Sequence, residues 1–331
     1  MWFQLIRDWG NISNSFRMQT LFYCVAITFH IPIILEIFRK REELSKLYNS
    51  FVTFEEVSIK NISNLCEDNH LRIFMAKLFG NLLVVTAPSV TGLIFLQLYW
   101  IPCLPATVQY ILLQECGNDS LNYIFNLVFK FILLVFTNWL FLFTCTGVFL
   151  EYGFYSYIHC YCLLHYLKIL KKRLELNSSV LSTQDVYKIY RQVQLLAFCY
   201  NDIHKRILTM VTTALLQFVC IIGLFALIKF GGELIQPQFL MFAGLVVESV
   251  LYIFDSEGGV KASVFSASKD LLHSRNCVSI GINQNSKWVR RFTKSLPVLK
   301  IQFGSGNYFD ELTPLVLIDF SINQTVSLLL M

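Results

Sequence analysis

The sequence predicts an all-α protein, a polytopic transmembrane helix bundle with long cytoplasmic helix extensions, and three observations predict it. Hydrophobic residues make up 55% of the 331 positions and charged residues only 15%, whereas soluble domains carry about a quarter charged; the mean hydropathy is +0.55. Six windows, about 20–38, 76–98, 126–150, 207–229, 238–256 and 309–330, are apolar over roughly the twenty residues needed to cross about 30 Å of hydrocarbon. The basic residues are also unevenly spread. Of 27, 22 fall in segments 39–75, 151–206 and 257–308, and none in the loops 99–125 and 230–237. By the positive-inside rule those three segments are cytoplasmic. The chain 1–331 then reads as a single transmembrane domain with its C-terminus outside. A net charge of +5 concentrated in this way sets topology and gives no reason to expect nucleic acid as a partner.

The elements follow in order. The first nineteen residues mix Arg7, Asp8, Asn11 and Arg17 with apolar residues and lack a small-residue cleavage site, so no cleavable signal is expected. Six spans put the N-terminus outside; a seven-span protein whose first helix precedes this sequence fits equally well. The outer loop 99–125 holds Cys103, Cys116 and the sequon Asn118-Asp119-Ser120, and Asn11-Ile12-Ser13 is a second outside sequon. Glycosylation at Asn118 and Asn11 is expected. Cys103 and Cys116 either form a bridge, which the oxidising exterior allows, or remain free thiols. Asn61 and Asn177 lie in cytoplasmic sequons and should be unmodified.

From Asn126 to Glu175 there is no proline. Fifty helical residues at 1.5 Å each measure about 75 Å, so this helix must leave the membrane. A return limb starts at Ser182-Thr183-Gln184-Asp185, which resembles a capping box. Ile189, Val193, Leu196, Tyr200, Ile203 and Ile207 then recur at three- and four-residue spacing. The extensions cover about 151–206 and 257–302. Their apolar stripes need partners, either each other or neighbouring subunits, and subunit assembly is the reading favoured here. Glu248 sits near the middle of span 238–256, where a glutamate serves either function or a helix–helix hydrogen bond.

Catalytic chemistry is not in view. The chain has no GxSxG, P-loop, HExxH or strand-borne GxGxxG pattern, so no enzyme and no cofactor is expected. His159, Cys162 and His165 could share a helix face, but a structural zinc site wants four ligands and a fourth is not evident. Packing is the expected role of all three.

The last stretch organises the functional reading. A basic run, KWVRRFTKSLPVLK, meets a backbone break at Phe303-Gly304-Ser305-Gly306 and then the apolar DELTPLVLIDFSINQTVSLLLM. Asp319, Asn323, Gln324 and Thr325 would enter the bilayer on that segment, where polar groups normally face a bundle interior or an aqueous path. The final helix is therefore expected to line a pore. Asn323 and Gln324 cannot both point inward.

This layout resembles the insect chemoreceptor superfamily of gustatory and odorant receptors. Its gustatory members close with threonine-tyrosine, five hydrophobic residues and glutamine-phenylalanine. Thr325-Val326-Ser327-Leu328-Leu329-Leu330-Met331 resembles the first seven positions, with Val326 for tyrosine and no counterpart to the last pair. The run Lys294 to Phe309 looks like the family's helix-break-helix. Glu151–Glu175 and Tyr187–Arg206 resemble the cytoplasmic extensions of its fourth and fifth helices, and 20–38 would correspond to its second.

The resemblance implies a plasma-membrane, ligand-gated, non-selective cation channel for a small organic odorant or tastant. It implies a homo- or hetero-tetramer in membrane lipid, with or without a co-receptor, whose last helix lines the pore. A ring of Asp319 would favour cations. The implied ligand pocket lies in the outer half of the membrane. Phe95, Trp100, Phe129, Asn138, Trp139, Phe239 and Phe242 would give it an aromatic cleft with few polar groups. The rival reading is a secondary transporter with Glu248 and Asp319 as coupling carboxylates, but no internal repeat supports it.

Overall fold

The computed structural model describes residues 14–59, 132, 155–175, 183–232, 234, 236–281, 291 and 295–331. The expected spans 76–98 and 126–150, residue 132 apart, lie outside the described residues. Eight described helices carry the fold, numbered here in chain order: α1 (Asn14–Arg39), α2 (Arg41–Phe54), α3 (Tyr155–Glu175), α4 (Thr183–His204), α5 (Leu208–Phe230), α6 (Gln236–Tyr252), α7 (Ala262–Gly281) and α8 (Thr313–Leu330). A π-helical segment, Ile253–Lys261, joins α6 to α7 without a break. The described chain is mostly helical, and three of its helices are long and apolar enough to cross a membrane: Leu208–Phe230, Gln238–His273 and Thr313–Leu330.

Two layers of packing follow from composition. In the apolar layer α5 is central and touches α1, α6 and α8. Phe22, Ile222, Ala226, Met241 and Phe242 form its buried cluster, with Phe22 edge-on to Phe242 at 5.6 Å. Gly223 sets the spacing of α5 and α6. A Cβ there would collide with Val246, so only glycine lets the two helices come so close.

In the second layer α2, α3, α4 and α7 surround a larger core. Leu47, Phe51 and Phe54 recur along one face of α2 and are all buried. Val193, Leu196, Tyr200 and Ile203 of the expected α4 stripe are likewise buried. The reading of these stripes as subunit-assembly surfaces needs correction. They are covered by the chain's own α2, α3 and α7 and by the segment after α7, because each amphipathic face finds an apolar partner within the fold. Leu195 and Phe198 remain exposed on the outer side of α4.

The glycine break is the second correction. In place of helix-break-helix, Leu296–Ile301 runs without regular structure into a β-hairpin, β1 (Gln302–Phe303) and β2 (Asn307–Tyr308), with Gln302 opposite Tyr308. Gly304 takes φ +67°, the left-handed conformation the turn requires. The Phe309 N–H donates to the Ile301 carbonyl at 3.0 Å, extending the pairing. Asp310 Oδ1 accepts from the Thr313 N–H at 2.9 Å and the Thr313 hydroxyl at 2.7 Å. With Pro314 in the first turn, these bonds start α8 at Thr313.

Gly223→Leu should lower the thermal unfolding midpoint in detergent, by the equivalent of about 1–3 kcal/mol of overpacking. Gly244→Ala, where an added Cβ meets nothing within 4 Å, should hold or raise the midpoint, since alanine is the better helix former. Equal midpoints for both variants would show that Gly223 does not set the helix spacing.

Candidate functional site

The helix α8 has two faces. Pro314, Ser321 and Thr325 are its buried residues, and this side meets α5. Their hydroxyls are satisfied within the helix: Ser321 Oγ donates to the Leu317 carbonyl at 2.9 Å and Thr325 Oγ1 to the Ser321 carbonyl at 2.8 Å. Thr325 also lies 3.5 Å from the Ile221 carbonyl of α5. The other side is exposed and carries a line of polar residues among the exposed apolar Leu315, Val316, Val326 and Leu330. Asp319, Asn323 and Ser327 follow at four-residue intervals, with Gln324 beside them. Asn323 Nδ2 donates to Asp319 Oδ2 at 3.1 Å, and Ser327 Oγ to the Asn323 carbonyl at 2.8 Å.

The four expected pore residues are therefore divided. Asp319, Asn323 and Gln324 share the exposed side, and Thr325 sits on the side packed against α5. Of the expected ligand cleft, Phe242 is fully buried beside Phe22, and Phe239 is 42% exposed. Phe95, Trp100, Phe129, Asn138 and Trp139 lie outside the described residues, as do Cys103, Cys116, Asn118 and Asn11. Glu248 is half-buried on α6. Among the described residues no cluster of three His, Cys, Asp or Glu side chains can hold a metal ion. His159 is buried against Phe51 at 4.6 Å between ring centroids.

The segment that leads into α8 is held by a set of side chains the sequence reading did not single out. Tyr190 Oη and Gln194 Nε2, on α4, donate to the Pro297 carbonyl at 3.0 and 2.7 Å. Asn201 Nδ2 donates to the Lys300 carbonyl at 2.7 Å, and Asn201 Oδ1 accepts from the Gln302 N–H at 2.9 Å. From α7, Ser268 Oγ accepts the Leu299 N–H at 2.8 Å and lies 2.8 Å from Tyr190 Oη. Because Tyr190 donates to Pro297, the Ser268 hydroxyl donates to Tyr190. Signal for this was present. Tyr190, Gln194, Ala197, Asn201 and His204 recur along the stripe, and a carboxamide on a buried face needs backbone to bond.

A buried basic corner sits at the same end. Lys261 is fully buried, its ammonium 4.9 Å from the centroid of the Phe309 ring. His204 stacks on Tyr200 at 4.2 Å, and its Nδ1 lies 3.0 Å from the Tyr200 carbonyl, to which the neutral ring donates. Burial, aided by the charges of His159, Lys261 and Lys40, pushes the His204 pKa down to about 3. Burial also raises the Tyr157 phenol, with Asp255 beside it adding to the rise.

What the fold defines is a helical protein with membrane-length apolar spans and a polar-faced last helix. No protein-family model matches the chain, and no curated protein matches it.

A folded-state pKa below the ordinary 6.5 means that the unfolded chain takes up the His204 proton first. The stability from neutral His204 is therefore complete above pH 6.5 and is lost as pH falls toward 3. Between pH 6.5 and 4.5 the loss should be on the order of 2 kcal/mol. It should show as a falling unfolding midpoint in detergent, and His204→Gln should flatten that slope. A variant as acid-sensitive as the parent would remove His204 as the cause.

Proposed function

We propose that this protein is a chemosensory receptor of the gustatory and odorant type, acting as a ligand-gated, non-selective cation channel at the plasma membrane. The observation that carries this reading is the exposed line Asp319, Asn323, Ser327 on a membrane-length helix. Such a row facing hydrocarbon would cost several kcal/mol, so it must meet water or other polar groups. Copies of α8 around a central axis supply that setting. Each would turn Asp319 and Asn323 to an aqueous path and leave Ser321 and Thr325 against its own α5. A ring of Asp319 carboxylates favours cations.

The resemblance in the final helix and the two long extensions supports four subunits, an extracellular C-terminus and a small organic ligand bound within each subunit. Ligand binding would shift a closed–open equilibrium by its differential affinity for the two states.

Asp319→Asn should move the reversal potential of the basal or ligand-evoked current toward that of chloride under a sodium chloride gradient, at unchanged surface expression. An unchanged reversal potential would take Asp319 out of the permeation path.

A further inference from the structure

We infer that the segment Leu296–Gln302 is a releasable strap that moors α8, and that the Asn201 carboxamide is its latch. Asn201 bonds the Lys300 carbonyl and the Gln302 N–H, the two groups that flank Ile301. That is the pattern by which one residue of a parallel neighbour, through its own N–H and C=O, pairs with a strand. A single side chain thus takes the place of a missing strand at the point where the hairpin begins. The remaining bonds from Tyr190, Gln194 and Ser268 reach only Pro297 and Leu299, further from α8.

The strap has room to leave. Beside it runs an open groove of about 790 Å³ lined by Arg191, Gln194, Leu195, Phe198, Asn201 and Lys300. Its own residues alternate in exposure, with Pro297, Lys300 and Gln302 exposed and Leu296, Leu299 and Ile301 buried. What it moors packs on α5 along one side only, through Pro314, Ser321 and Thr325. The Gly304 N–H bonds the Lys205 carbonyl at 2.6 Å, tying the hairpin turn to the same end of α4. A displacement of α4 therefore reaches α8 through Asn201 and this turn, and loss of the latch loosens the stretch of strap, Leu299 to Gln302, that leads into the turn. The inference concerns how α8 is held and stands whatever α8 lines.

The test is cysteine protection in the full chain, purified in detergent micelles. Ile301→Cys, at a fully buried strap position, reports release. Leu47→Cys, buried in α2, reports loosening of the bundle as a whole. Labelling by N-ethylmaleimide is followed by the mass of the tryptic peptide carrying each reporter, and neither peptide, 47–60 or 301–331, holds a native cysteine. Asn201→Ala should speed labelling at 301 about tenfold, because both strap bonds go at once, and leave labelling at 47 unchanged. Asn201→Asp keeps the acceptor for Gln302 but loses the donor to Lys300, and should give a smaller rise. Lys188→Ala, on the exposed side of α4, should change neither rate. The inference is overturned if labelling at 301 stays within twofold of the parent in Asn201→Ala. It is equally overturned if 47 rises with 301, or if Lys188→Ala raises 301 as much.

Discussion

A polar group shut away from water must find a partner, and this constraint shapes both ends of the described structure. On the buried side of α8 it is met locally, by Ser321 and Thr325 hydroxyls turned back onto carbonyls one turn earlier. In the helical bundle it is met at long range. There Tyr190, Gln194, Asn201 and Ser268 spend their bonds on the backbone of Leu296–Gln302 and so position the hairpin that starts α8. The exposed side of α8 is where the constraint is left open within one chain. Asp319, Asn323 and Gln324 have solvent on that side, and a bilayer would not supply it.

The two layers divide the labour. In the apolar layer, contact is close and small residues matter, as at Gly223. In the bundle the core is apolar but crossed by specific polar pairs: Ser156 with Tyr200 at 2.5 Å, Tyr190 with Ser268, and Lys171 with Asp270 on the surface at 3.3 Å. The surface pair contributes little. The buried pairs fix geometry, because removing one partner strands the other in a dry site. The junction of the layers holds His204, Lys261 and Phe309 together. Movement there is felt by α4, by the π-helical segment and by the entry to α8.

Long, uniformly apolar windows were legible in the sequence. The windows 207–229, 238–256 and 309–330 fall on α5, α6 with its π-helical continuation, and α8, since length and hydropathy are one-dimensional properties. The α4 stripe was legible because its spacing of three and four residues matches the helical turn. Its partner was not, since periodicity says that a face is apolar without saying what covers it. The hairpin escaped because each strand is two residues long and depends on Gly304 and on side chains about a hundred positions earlier. On α8 the polar residues 319, 323, 324 and 325 go more than halfway round the helix. Only the position of α5 separates Thr325 from the rest.

The central claim is that the polar side of α8 borders water in the assembled membrane protein. A cysteine scan of α8 in intact membranes, with a charged methanethiosulfonate reagent, tests it most directly. The account predicts rapid modification at positions 319, 323 and 327, slow modification at the outward apolar position 322, and protection at 321 and 325. Modification at 323 no faster than at 322 would contradict it, because Asn323 would then share the surroundings of Ile322.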